Sequence, residues 1–147
     1  LEYAGLPQGD PNMALDLFSE FGTDTKAEED GVWEEYADGV AFLIARSNNK
    51  TYSRLITKAF EKNKRLLQAK NDAAETKSEE IIVDVSARAL LLGWRGDFNW
   101  QGKPIGEYSV EKARMLLAVK DFRRWVFERA EDMERYKTVK QEEDAGK

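Results

Sequence analysis

The sequence predicts an α+β fold, mostly helical, in which an N-terminal β-hairpin precedes about four helices and an aromatic, Gly-rich loop lies between the second and third. Three observations carry that prediction. Two short runs rich in β-branched and aromatic residues flank Asp38-Gly39; apolar residues recur at helical spacing over much of the chain beyond residue 47; and the period lapses between Trp94 and Tyr108, where Gly96, Gly102, Pro104 and Gly106 gather.

Residues 1–12 carry Gly5, Pro7, Gly9 and Pro11, and a more regular stretch opens at Met13. They are expected to be an added or disordered segment ahead of a natural start at Met13. Residues 13–30 read as an acidic arm. From residue 20 to 38 the acids Glu20, Asp24, Glu28, Glu29, Asp30, Glu34, Glu35 and Asp38 face the single base Lys26, which predicts exposure until Val32. Residues 31–138 form one α+β domain, and residues 139–147 a disordered polar tail.

Within the domain, residues 32–36 and 40–45 read as two strands joined by a tight turn, because Asp-Gly tolerates the positive φ that such a turn needs. Val40, Phe42 and Ile44 fall on one face of the second strand and Ala41, Leu43 and Ala45 on the other. Both faces are apolar, so other elements must cover the hairpin. Ser47-Asn48-Asn49 supplies capping side chains for a long amphipathic helix marked by Tyr52, Leu55, Ile56, Ala59, Phe60, Leu66 and Leu67, up to about residue 71. A polar joint over residues 72–77 leads to Ser78 as the cap of a second helix, which Gly93 stops. After the aromatic loop, Ser109 caps a short helix, and Asp121 caps another carrying Phe122, Trp125, Val126, Ala130, Met133 and Tyr136.

Composition narrows the function. The 147 residues include Lys+Arg 23 and Asp+Glu 28, for a net charge of -5, and contain no histidine and no cysteine. Thiol nucleophiles, disulfides, imidazole bases and ordinary zinc sites are thereby excluded, which leaves carboxylate chemistry. Adjacent acids such as Glu28-Glu29-Asp30, Glu34-Glu35, Glu79-Glu80 and Glu142-Glu143 point in different directions, and no acid/base pair across a cleft emerges. Asp97-Phe98-Asn99 lacks the ligand count of a calcium loop, and no phosphate-cradling glycine motif occurs. The expectation is a protein without catalytic, cofactor or metal residues. No apolar run reaches the ~20 residues of a membrane helix, and the protein is expected to remain in the cell that makes it.

Two constellations remain. Arg46, Lys50, Arg54, Lys58 and Lys62 repeat every four residues and form a basic stripe, a possible electrostatic contact. The acidic chain (pI about 5.0) and the lack of interleaved aromatics favour a solvated face, or an acidic protein surface, over nucleic acid. Head-to-tail pairing of this stripe with the acidic arm of another copy is a further possibility. Trp94, Phe98, Trp100, Ile105 and Tyr108, with Phe42 on the hairpin, are the candidate partner-binding residues. Trp94 and Tyr108 flank helices and favour the core, whereas Phe98 and Trp100 sit among polar residues and favour exposure.

The ordered set Ala89-Leu90-Leu91-Leu92-Gly93-Trp94-Arg95-Gly96, Gly102-Lys103-Pro104-Ile105, Tyr108-Ser109, Leu116-Leu117 and Asp121-Phe122-Arg123-Arg124-Trp125 resembles the tail assembly chaperones of long-tailed, siphovirus-type bacteriophages and prophages. The hairpin segment Tyr36-Ala37-Asp38-Gly39-Val40 and the segment Ala45-Arg46-Ser47-Asn48-Asn49 are similar to that family's N-terminal half. The resemblance implies a non-enzymatic protein that binds the tail tape measure protein and the tail tube protein during tail morphogenesis, with possible self-association. The rival expectation is a head-tail or tail connector retained in the virion.

Overall fold

The computed structural model describes residues 14–137; the expected added segment at 1–12 and the polar tail at 139–147 lie outside it. The described chain is α+β and mostly helical, as the sequence predicts, with the elements α1 (Leu17–Phe21), α2 (Thr25–Asp30), β1 (Val32–Ala37), β2 (Val40–Ile44), α3 (Lys50–Lys62), α4 (Lys64–Gln68), α5 (Asp72–Ala89), β3 (Leu91–Arg95), β4 (Asn99–Trp100), β5 (Lys103–Pro104), α6 (Val110–Leu117) and α7 (Lys120–Glu131). A 3-10 turn at Met133–Tyr136 closes it.

The hairpin forms across Asp38-Gly39, with Gly39 at φ 76 and Val32 paired to Ile44, Trp33 to Leu43 and Glu34 to Phe42. What covers it on one edge is a third strand. β3 runs antiparallel to β2 with Phe42 opposite Trp94, which makes β2 the central strand of the order β1-β2-β3. This corrects the expectation that the second helix runs on to Gly93. Leu90, Leu91 and Leu92 are as compatible with a helix as with a strand, and pairing with β2 decides for the strand. Close by, Gly96 adopts φ 93, and a Cβ there would overlap the carbonyl oxygen of Gly39, so the two glycines let β3 and the hairpin turn meet.

The helical boundaries differ from the sequence reading in three further places. The first long helix breaks at Asn63, whose Nδ2 donates to the Ala59 carbonyl at 2.8 Å and competes for the oxygen a continuing helix would use. The expected joint over 72–77 is helical, because Asn71 rather than Ser78 caps α5, accepting from Ala74 N at 3.0 Å. Helix α7 begins at Lys120, with Asp121 in its first turn instead of at its cap. Ser109 caps α6 by accepting from Lys112 N at 3.1 Å.

The acidic segment is exposed over residues 14–21, half-buried in part beyond them, and carries the two short helices α1 and α2. Asp24 caps α2, Glu28 pairs with Arg46 at 3.2 Å, and Glu29 accepts from the Lys50 backbone N at 2.6 Å and the Thr51 hydroxyl at 2.8 Å. These three carboxylates find partners within the chain, which repetitive acidity in the sequence conceals. The core gathers Phe42, Ile44, Leu91, Leu116, Leu117 and Val126 between the sheet and helices α5 to α7. At the C-terminal end, Tyr136 is fully buried, its hydroxyl donating to the Ile44 carbonyl at 2.8 Å, while Asp24 N donates to the Tyr136 carbonyl at 2.7 Å. Arg135 fastens the same corner through Glu34 at 2.9 Å and the Val32 carbonyl at 3.0 Å.

Candidate functional site, an aromatic groove

An open groove of about 590 Å³ lies where the hairpin tip, the β4 loop and the start of α7 meet. Phe42 lies at its centre, with ring centroids 5.6 Å from Phe98, 5.4 Å from Phe122 and 5.7 Å from Trp125. Phe122 and Trp125 are three residues apart on α7 and so share a face, stacking at 6.1 Å. Tyr36, 64% exposed beside the hairpin turn, meets the Trp125 ring edge-on at 5.3 Å. Trp100, Asn99 and Asp121, with Ala37, Val40 and Leu116, line the remainder.

The structure divides the sequence-predicted partner residues into two layers. Trp94 and Ile105 are buried and form the support: Trp94 Nε1 donates to the Gly106 carbonyl at 3.0 Å, and Ile105 N donates to the Phe98 carbonyl at 3.0 Å. Both hydrogen bonds fasten the Gly-rich loop. Tyr108 is half-buried with its hydroxyl between the carbonyls of Leu91 at 2.7 Å and Ala87 at 3.0 Å, and burial raises its phenol above the ordinary value. Trp94 and Ile105 thus belong to the scaffold, and Tyr108 is fastened to it by its hydroxyl. Phe42 is buried but lines the groove, whereas Phe98 and Trp100 are half-buried, packed on the core on one side and open to the groove on the other.

Tyr36, Phe122 and Trp125 complete the groove and were not candidates from sequence. The signal present was a pair of large aromatics three apart at a helix start, which reads equally well as a core stripe.

The groove's chemistry is that of an apolar receptor. Its lining offers one carboxylate, Asp121, which an Arg124 guanidinium approaches at 3.5 Å, and one amide, Asn99. Among the described residues, no group of three or more acidic side chains is placed to hold a metal ion, and no helix is long and apolar enough to cross a membrane. A concave, aromatic-walled surface of this kind takes apolar side chains of a peptide or helix.

The basic stripe lies elsewhere, on α3, which packs on α4 and α5. Lys50, Arg54, Lys58 and Lys62 are exposed, and no ion pair among the described residues uses them. Arg46 differs, being committed to Glu28. The acids expected to seek the stripe of another copy are therefore partly engaged within their own chain.

Comparison with known proteins places the chain among phage-derived sequences. No curated protein and no solved structure matches it. A protein-family model described as YdaY prophage protein matches residues 47–147, from the approach to α3 through the groove's β4 loop and α7. That match covers more than half of the 147 residues, and the protein belongs to the YdaY prophage protein family.

Proposed function

We propose that this prophage protein is a non-enzymatic tail assembly chaperone, which holds apolar helical segments of the tail tape measure protein in its aromatic groove and acts with the tail tube protein in the host cytoplasm during tail morphogenesis. The groove carries the reading. Six aromatic side chains line a concavity of about 590 Å³ with one carboxylate and one amide, which suits an apolar polypeptide and offers no pair of groups for hydrolysis. Membership of a prophage family and the ordered resemblance to tail assembly chaperones support the choice of partner. A tape measure is long, helical and apolar, so it needs shielding until a tube surrounds it, and a receptor with a charged exterior can supply that shielding without aggregating itself. The exposed cations of α3 offer a second, electrostatic contact.

Co-expression with the tape measure protein of the same prophage tests the reading. The wild type should keep the tape measure soluble, and Phe98→Ser with Trp100→Ser should lower the soluble fraction severalfold. Tyr36→Ser, at a largely exposed position, should lower it without disturbing the fold. Unchanged tape measure solubility in both variants rejects the groove as the receptor. Mass spectrometry of purified particles separates a chaperone, which should be missing, from a connector, which should be present.

A further inference from the structure

The seven lysines and arginines from Lys50 to Lys70 are all exposed, and Glu61 is the one acid among them, so this stretch carries +6 in a chain whose net charge is -5. Among the described residues, ten of the fourteen lysines and arginines outside the stretch form ion pairs, whereas none of the seven inside it does. Cations elsewhere in the chain are matched to acids, and α3 and α4 depart from that pattern.

The departure acts against the helix itself. Lys50, Arg54, Lys58 and Lys62 stand four residues apart on α3, and like charges at that spacing destabilise a helix. The carboxylate at the helix N-terminus, Glu29, serves the Lys50 backbone N at 2.6 Å and the Thr51 hydroxyl at 2.8 Å. A local choice that works against the fold, with nothing in the described chain to offset it, marks a functional surface. Four residues of helix rise about 6 Å, so the row extends for about 18 Å. Where it ends, the break at Asn63 leaves a cleft of about 480 Å³ between α3 and α4, lined by the half-buried Phe60 and Leu67 together with Thr57, Lys64 and Lys70.

We propose that this face of α3 and α4 is a second docking surface, which takes an acidic amphipathic helix of a partner protein. Carboxylates four residues apart on such a helix repeat at the same ~6 Å interval as the cations. Rows of this kind on two helices interlock with their axes about 50° apart, and one large apolar side chain of the partner enters the Phe60–Leu67 cleft. The chemistry favours a polypeptide over a nucleic acid. No aromatic residue between 50 and 70 is exposed, so bases find no ring to stack on. A long polyanion also meets the rest of the chain, which holds 16 of the 23 cations and 27 of the 28 acids for a net of -11; a short helix meets the row alone. Opposite charge steers the encounter, and salt weakens it. The cleft shares no lining residue with the aromatic groove, so this surface stands whatever the groove binds.

Titration calorimetry of the full chain with a synthetic helix of about 18 residues, long enough to follow the row, tests the proposal. The peptide carries glutamate at every fourth position along one row and leucines beside it. A scrambled peptide of the same composition and a short DNA duplex are the comparisons, and no tape measure protein is present. The ordered peptide should bind at least ~10-fold more tightly than the scrambled one and lose most of its affinity as salt rises from ~50 to ~500 mM. Lys58→Glu turns the like-charged pairs with Arg54 and Lys62 into opposite ones, so it should raise the thermal midpoint while weakening the peptide at least ~10-fold. A residue with a merely structural role would not move stability and binding in opposite directions. Equal binding of the two peptides, binding of neither, an unaltered affinity in Lys58→Glu, or a duplex held more tightly than the ordered peptide overturns the proposal.

Discussion

Replacing Tyr136 by phenylalanine should remove one hydroxyl from a fully buried site and leave the ring in place. In the native chain that hydroxyl donates to the Ile44 carbonyl at 2.8 Å and accepts from Arg135 Nη1 at 2.9 Å. Arg135 keeps Glu34 and the carbonyls of Val32 and Arg129, so the group that suffers is the Ile44 carbonyl. Losing one partner of a buried hydrogen bond costs about 1–3 kcal/mol, and a loss near ~2 kcal/mol is expected at pH 7. Alkaline pH supplies the second half of the prediction. Burial, opposed by Arg135 and Arg46, pushes the Tyr136 phenol from 10.0 to about 12. Between those values the unfolded chain has released the phenolic proton while the native chain still holds it. Stability therefore falls as pH rises from 10 to 12, by roughly 3 kcal/mol for a shift of about two units. Phenylalanine cannot make that contribution. The stability gap between wild type and variant should narrow above pH 10 and be about half closed or more at pH 11. Urea denaturation of both proteins at pH 7, 9, 10 and 11 measures it. A gap below ~0.5 kcal/mol at pH 7, or one that stays constant to pH 11, would refute the assignment of this hydroxyl as the clasp between the C-terminal turn and the central strand.

Other perturbations probe separate joints. Asn49→Ala removes the α3 cap, which accepts from Tyr52 N at 2.9 Å, together with donors to the Arg46 and Ala89 carbonyls at 2.8 and 2.9 Å; thermal denaturation should register a loss of about 2–4 kcal/mol. Gly96→Ala forces a side chain into the left-handed region against the Gly39 carbonyl and should cost at least ~2 kcal/mol, read as a lowered urea midpoint. Burial pushes the Asp84 carboxyl up, but Arg88 and Arg114 outweigh it and hold it below its ordinary value. Its stabilisation is therefore present above the unfolded carboxylate range and fades as pH falls through the folded value. At 40% exposure Asp84→Asn should cost less than ~1 kcal/mol at pH 7 and make denaturation less dependent on acid.

The hairpin was legible because Asp38-Gly39 encodes its turn locally and the flanking runs encode its strands. Strand β3 was not, since nothing in Leu90-Leu91-Leu92-Gly93 distinguishes a helix end from a strand until Phe42 and Leu43 lie beside it. The folding of the acidic segment escaped a count of charges for a similar reason: besides the nearby Thr23 hydroxyl, Glu28 is held by Arg46, eighteen residues away. Of the groove, Phe98 and Trp100 could be picked out as large aromatics among polar neighbours. Tyr36, Phe122 and Trp125 could not, because the groove exists only where residues nearly ninety positions apart converge.

The position of β2 at the centre of the sheet bears on how the chain is made. Both strands of the hairpin leave the ribosome before their partners: β3 follows about fifty residues later and Tyr136 more than ninety after Ile44. At ~5–20 residues per second, Phe42 and Ile44 wait on the order of seconds for the residues that bury them. A lone hairpin with two apolar faces is marginal in water, so the nascent chain passes through an interval in which this apolar strand is unprotected. A protein proposed to shield the exposed apolar surface of another must itself pass through such an interval while it is being translated.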